Sequence, residues 1–545
     1  MQLRLGVLLE DLRPPAWIAR VIRDLRAAPE ASLVVVGQLG ASAPAQREPV
    51  AARALRRLHA AVDARLFAVA ADPFERADLP ELSGVDVLAL DPRAEGDADV
   101  LADDDLARLA GHRLDVLVSF LPRALGGGIF GCARYGVWTY QFGDEAPPRG
   151  GPDGFWEVVD GAAVTRSALR AQTDPRHARI LYESWSATDP VSVRRSRASG
   201  RWKASAFVRR CLRELAEDGP AVLEARPRIA LPEARPPAAS GRELAAGLAR
   251  LGGAALRREA RRLVTRDQWT LAYRTDPATR GGVPARSLAG AERLAPPLDR
   301  FWADPFAAPH GDGWAVLFEE KLYAERKAHI SVLQIDRDGR AGEPERVLER
   351  DYHLSYPFLF SWEGAWWMVP ETAQHRTVEL WRATEFPRRW KLERTLFEGV
   401  QAVDSTLFEH EGAWWMYANL GEPGASREEE LHLFHAPSPL GPWTPHRRNP
   451  VRSDIRCARP AGRPFWTDGA WHRPAQDGSG GYGSALVLHR IERLDPHGFE
   501  ERQVARIAPD WAPGLTGLHT LNACDGLTVL DVRVTRPRYT VSLSR

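Results

Sequence analysis

The second half of the chain repeats itself five times, and this repeat constrains the fold more than any other feature. The segments are DPFAAPHGDGWAVLFEE (from Asp304), YPFLFSWEGAWWMVPET (from Tyr356), DSTLFEHEGAWWMYANL (from Asp404), AGRPFWTDGAWHRPAQD (from Ala461) and LHTLNACDGLTVLDVRV (from Leu518). Each reads as a short apolar strand, a polar turn carrying a glycine, and a second apolar strand. The glycines Gly313, Gly364, Gly412, Gly469 and Gly526 stand 51, 48, 57 and 57 residues apart. That period is too long for a lone hairpin and suits a four-stranded blade, so it predicts a five-bladed β-propeller. The first residue of each segment opens an innermost strand, so Asp304, Tyr356 and Asp404, with His519 one residue away, are expected to converge at one mouth of a central channel. A second ring lies seven positions after each glycine: Glu320, Glu371, Asn419, Gln476 and Arg533. Glu371 and Gln476-Asp477 sit in apolar or proline-bearing strands, which favours function over edge capping. Arg459 and Arg473 predict an anionic group in the site. The paired tryptophans Trp366-Trp367 and Trp414-Trp415 read as packing between blades. Trp302, beside Asp304, is a candidate to stack on a sugar ring.

The first half is patterned differently. Continuous apolar runs at 3–9, 32–39, 85–90 and 115–120 alternate with helical periodicity at 15–27, 51–67 and 103–112. This alternation predicts a doubly wound parallel sheet, with ligands bound beyond the carboxyl ends of its strands. The Gly126–Gly128 run lacks the spacing of a phosphate loop and reads as a turn. The expected division is an α/β domain over 1–224, a Pro/Ala-rich linker followed by basic amphipathic helices over 225–266, and the propeller over 267–545.

Charge and cysteine content narrow the partners. Lys+Arg 73 against Asp+Glu 72 gives a net charge of +1, and no basic stripe suggests nucleic acid. The four cysteines are scattered without a CxxC pair, which argues against a disulfide framework and a zinc site. No cofactor is expected from any motif. No apolar run is long enough to span a bilayer, so stable membrane insertion is not expected, and the cytoplasm is the simplest location.

DVLVSF followed by YGVWTYQFGDEAPPRGGPDGFWEVVDG resembles the loop of the formyltransferase family, with Arg149-Gly150 and Phe155-Trp156 at matching places. The resemblance implies that fold over about residues 1–215. The family's catalytic Asn and His fall on Thr139 and Gln141, and Asp174 is the nearest residue to its third position. Since Gln cannot accept a proton, loss of formyl chemistry is expected.

FWADPFAAP and VDSTLF resemble glycoside hydrolase family 43. That likeness implies a base at Asp304 and a tuning carboxylate at Asp404, but CARPAGRPF has no carboxylate at the acid's place. Glu371 is the candidate replacement, with Arg459 holding an anionic group. RPAGRPF, HRPAQD with Tyr482-Gly483, and GLHT resemble the N-terminal region of plant glucosamine inositolphosphorylceramide transferases. The likeness implies work on sugars in surface glycan or glycolipid assembly. Three functions stay open: a carbohydrate-active enzyme using a sugar, sugar-phosphate or nucleotide-sugar ligand; a non-catalytic glycan-binding scaffold; and a sugar N-formyltransferase with altered catalytic residues.

Overall fold

The structure is a computed structural model that describes residues 2–40, 49–96, 98–143, 151–231, 238–276, 282–285 and 287–538. It divides into two compact units. One comprises Met1–Leu256 with Glu422–Ser426, and the other Arg257–Gly421 with Arg427–Arg545.

The first unit is built on an eight-stranded sheet. Five strands run parallel in the order Asp86–Ala89, Ala31–Gln38, Leu3–Leu9, Val116–Ser119, Val137–Phe142. The sheet is mixed rather than wholly parallel, because Val164–Gln172, His177–Ala187 and Arg228–Ala230 extend it antiparallel. The last of these strands lies inside the stretch read from composition as a linker. The central strands Leu3–Leu9 and Val116–Ser119 are covered on both faces, which is why they are almost wholly apolar, whereas the edge strand Asp86–Ala89 is largely exposed. Leu3, Leu5, Val7 and Leu9 pack against Trp17, Val21 and Leu25 of the helix Ala16–Ala27 and against Phe207 and Leu212. Leu8, Val35 and Leu117 face the other way, onto Leu109 and Ile129. The basic segment 241–266 forms a single helix, Gly241–Val264, whose buried residues are Leu244, Gly247 and Leu251. No helix among the described residues is long and apolar enough to cross a membrane.

The second unit consists of β-sheets. Four of them each open on a strand of the sequence repeat: Arg300–His310, Ser355–Trp362, Val403–His410 and Phe465–Thr467. A fifth is made from both ends of the unit. Thr265–Thr275 pairs antiparallel with Leu527–Pro537 along all eleven residues, and Leu521–Cys524 joins the same partner. Separate apolar clusters link neighbouring sheets. Leu271, Val529 and Trp314 join the fifth to the first. Phe306, Leu359 and Met416 join the first three. Phe408, Tyr417 and Ile491 join the third to the fourth, and Leu486, Leu518 and Leu530 join the fourth to the fifth.

Four turns of the repeat place both central residues at positive φ: Glu363-Gly364, Glu411-Gly412, Asp468-Gly469 and Asp525-Gly526. Positive φ at both positions matches the strand twist of a two-residue hairpin. The first repeat departs from this register. Its turn uses Gly311 at φ +59, while Gly313 is already strand and pairs with His310. Gly313 is glycine for a different reason, because a Cβ there would lie 2.1 Å from the Ile335 carbonyl oxygen.

Candidate functional site

The opening strands of the first three repeats share a kink. Asp304, Tyr356 and Asp404 all adopt left-handed backbone, at φ +52, +42 and +54. Each falls in a register shift of its hairpin, between Ala303 and Phe306, Ser355 and Phe358, and Val403 and Thr406. Such bulges re-aim a side chain and are strained for a residue as large as tyrosine. The three side chains and backbones then form a relay between sheets. Tyr356 donates its backbone N–H to Asp304 Oδ2 at 3.2 Å. Its hydroxyl lies 2.8 Å from Thr406 Oγ1 and accepts the Gly462 N–H at 2.9 Å.

Asp304 is buried, and its Oδ1 lies 3.0 Å from His519 Nε2. The other imidazole nitrogen lies 3.0 Å from Asp531 Oδ1. Burial alone would lower the imidazole pKa, but Asp531 and Asp304 outweigh it and push it up to about 10, so His519 is a buried cation. Asp531 accepts the backbone N–H groups of Asp304, His519 and Thr520 and the Thr520 hydroxyl. Ligand atoms of Asp304, His519 and Asp531 lie within 4.8 Å of one another. The single imidazolium charge offsets one of the two carboxylate charges that flank it.

On the other side of the cluster, Arg459 Nε donates to Asp404 Oδ2 at 2.6 Å. Its Nη1 lies 3.4 Å from Glu428 Oε1, and its guanidinium sits 4.9 Å from the Tyr482 ring centre. Gln476 Nε2 reaches Asp404 Oδ2 at 3.5 Å and the Pro460 carbonyl at 3.3 Å. Burial raises the pKa of Asp404, and the charge of Arg459 opposes the rise.

Glu371 is half-buried, and its Oε2 is enclosed without a hydrogen-bond partner among the described residues. Burial, then the charge of Asp404, raises its pKa to about 8 despite Arg459 nearby. Glu319 is also pushed well above the usual carboxylate range, by burial and then by Asp304. The cluster thus contains Glu371 and Glu319, both with raised pKa values, an imidazole raised to about 10, and Asp404 bonded to arginine. Such an arrangement separates proton donors from acceptors at neutral pH.

Several sequence expectations are corrected by the register. Glu320 does not join this cluster. It faces the opposite side of its strand, accepting from Arg300, Trp302 Nε1 and Ser331, with His329 at 3.2 Å. Counting from Gly313 rather than from the true turn is one residue out, and side chains alternate along a strand, so Glu319 takes the position equivalent to Glu371. Trp302 is buried, packed on Phe318 with its indole N–H given to Glu320, and presents no face to a ligand. Arg473 is also unavailable, since its guanidinium forms a buried pair with Glu501 at 2.7 Å. Asp477 Oδ1 accepts from Ser479 at the end of its strand, and Oδ2 accepts from Arg506. Arg533 caps the Tyr482 and Thr516 carbonyls.

Sequence reading passed over Glu319 and Asp531, and named Tyr482 only within a resemblance, not as a site residue. The available signal for Asp531 was a lone carboxylate in the apolar strand LTVLDV.

The first unit holds a separate cavity of about 400 Å³. Its lining includes Glu10, Ser119, Thr139, Gln141, Asp153 and Arg201. It opens at the carboxyl ends of Leu3–Leu9, Val116–Ser119 and Val137–Phe142. The first two are adjacent strands from which the sheet order grows in opposite directions. That is the usual ligand position in an open α/β sheet. Thr139 Oγ1 donates to Gln172 Oε1 at 3.4 Å, and Gln141 Oε1 accepts from Arg166 at 3.3 Å. Arg201 pairs with Asp153 and lies over the Phe142 ring. Asp174 instead caps the exposed turn at Arg176 and His177. Arg149 lies outside the described residues.

The repeat half contains the region similar to known proteins. Residues 287–512 match the family described as glucosamine inositolphosphorylceramide transferase 1, N-terminal. Glucosamine inositolphosphorylceramide transferase 1 of Oryza sativa subsp. japonica is 38% identical over 205 residues, and that of Arabidopsis thaliana is 35% identical over 211. Each alignment covers 37% of this chain and 27% of the relative, so the chain spans about a quarter of these relatives' length. Among solved structures, a family 117 glycoside hydrolase from Zobellia galactanivorans is similar at 12% identity and a TM-score of 0.32, covering 51% of this chain and 93% of that one. An exo-beta-1,3-galactanase from Clostridium thermocellum is similar at 11% identity and a TM-score of 0.33, covering 45% of this chain and 54% of that one.

Proposed function

We propose that the second unit is a five-bladed propeller whose buried carboxylate cluster acts on a glycosyl group, in the assembly of a surface glycan or glycolipid. The observation that carries this reading is the contrast within one cluster. Glu371, half-buried, keeps its proton to about pH 8, while Asp304 is bound to an imidazolium. Glu371 is the proton donor to a leaving oxygen, Asp304 the acceptor, and Asp404 with Arg459 tunes the donor. The ligand is a sugar, sugar phosphate or nucleotide sugar. The match of residues 287–512 to a transferase family supports transfer over hydrolysis.

The first unit is read as a formyltransferase-type sheet without formyl chemistry. Thr139 and Gln141 line its cavity and cannot take a proton from an amine. Incubation with 10-formyltetrahydrofolate and amino sugars is expected to give no product.

A second reading, a glycan-binding module without catalysis, draws on the near-complete burial of Asp304 and Asp404, whose side chains are 7% and 2% exposed. The full chain, Asp304→Asn and Glu371→Gln are to be compared for sugar binding by calorimetry and for turnover of nucleotide sugars. The enzymatic reading requires turnover in the unmodified protein that both substitutions abolish while binding persists. Binding without turnover in all three favours the module. If neither substitution changes anything, the cluster is not the site.

A further inference from the structure

The fourth repeat contains an aromatic residue that the others lack. In each hairpin the residue two positions before the turn pairs across the strands with the residue two positions after it. These pairs are Pro309 with Trp314, Ser361 with Trp366, Glu409 with Trp414, Trp466 with Trp471, and Ala523 with Thr528. The second member is tryptophan in four repeats and belongs to the packing. The first is tryptophan only in the fourth, where Trp466 is 52% exposed. An exposed tryptophan that the repeat does not require buries no core and leaves one ring face open to a ligand.

Its surroundings form a recess. Trp466 lines a cavity of about 360 Å³ with His410, Trp471, Arg490, Glu492 and Arg493. Trp471 meets Trp466 edge-on with ring centres 5.6 Å apart, and its own indole N–H is given to His410 Nδ1 at 3.1 Å. The platform is therefore held in place before any ligand arrives, which lowers the entropy cost of binding. The bond at Nδ1 leaves the neutral imidazole with its proton on Nε2, as a donor.

The charges are unequally matched. Glu492 is paired with Arg502 and Arg493 with Asp495. The Arg490 guanidinium has no hydrogen bond or ion pair to any described residue. An open indole face beside an unmatched guanidinium suits a ring that is apolar on one side and carries a negative group. His410 ends the strand Val403–His410, six residues from Asp404 and about 20 Å away at roughly 3.3 Å per residue, so the recess is separate from the carboxylate cluster.

We propose that this recess binds an anionic sugar, with the pyranose ring on the Trp466 indole and its carboxylate or phosphate paired with Arg490. This does not depend on the chemistry of the carboxylate cluster. The test is titration of the full chain with glucose, glucuronate and glucose 6-phosphate up to tens of millimolar, followed by ligand-observed NMR. Both charged sugars are expected to bind more tightly than glucose, and the stronger of the two identifies the acidic group. Trp466→Ala is expected to weaken all binding about tenfold or more, and Trp466→Phe to retain it. Arg490→Gln is expected to abolish the preference for charge while glucose binding stays. Both sites lie at the surface, so each variant should unfold at the wild-type temperature. The proposal is overturned if none of the three sugars binds saturably, if Trp466→Ala binds as the wild type does, or if Arg490→Gln keeps the charge preference.

Discussion

Glu371 is the residue whose behaviour most directly tests the cluster. Its pKa in the folded protein is raised to about 8 by burial and the charge of Asp404, against about 4.3 in an unfolded chain. Between those values the folded state holds a proton that the unfolded state has lost, so rising pH favours unfolding. The stability associated with the protonated form is complete below the unfolded pKa and is lost as pH climbs through about 8. Glu371→Gln removes the titration while keeping the shape. Urea unfolding at acid, neutral and mildly alkaline pH should show the variant gaining on the wild type as pH rises, with the gain levelling off above the folded pKa. A difference independent of pH would mean that Glu371 does not hold its proton. The same ionisation should appear as an alkaline limb in any activity that uses Glu371 as an acid.

At the scale of elements, the glycines of the repeat do two different jobs. Gly364 occupies a left-handed turn position with nothing within 4 Å of its missing Cβ, whereas Gly313 lies in a strand against the Ile335 carbonyl. Gly364→Ala should therefore cost only the left-handed backbone term of about 1–2 kcal/mol. Gly313→Ala must push two strands apart, and should cost clearly more in a denaturant titration. Equal losses would contradict the register described for the first repeat.

That register is also where sequence reading ran out. Strand, turn and strand were legible because apolar runs and glycines are local signals, as were four of the five parallel strands of the first unit; Val137–Phe142, which carries Thr139 and Gln141, was not. A shift of the turn by one residue leaves the apolar pattern almost unchanged yet moves Glu319 into the cluster and Glu320 to the opposite, equally buried face of the strand. Arg473 looked available until its partner Glu501 was found 28 residues away. The antiparallel strands Val164–Gln172 and His177–Ala187 were less legible because their apolar residues are interrupted by arginine and serine.

At the scale of the whole molecule, the fifth sheet joins parts of the chain that are far apart, pairing Leu271 with Asp531. Truncation after Gly526 would remove the strand Leu527–Pro537, and with it the carboxylate that holds Asp304, His519 and Thr520. The shortened protein is expected to lose the cooperative unfolding transition of the second unit and any sugar turnover. Joining the strand in front of Thr265 through a short glycine-serine linker, in a circularly permuted chain, should restore both. A truncated protein that melts like the full chain would show that the pairing is dispensable.

The closing strand also sets an order of events at the ribosome. Chains emerge from their amino end, and domains tend to fold in that order. The first four sheets of the second unit can collect their strands as they appear, but Thr265–Thr275 must wait for a partner synthesised more than 250 residues later. Until then Asp304 lacks the anchor for its backbone N–H, and His519 lacks one of the two carboxylates that make it a cation. A nascent or prematurely terminated chain therefore carries the cluster's residues without its charge arrangement, and the site is completed only with the synthesis of its final strand.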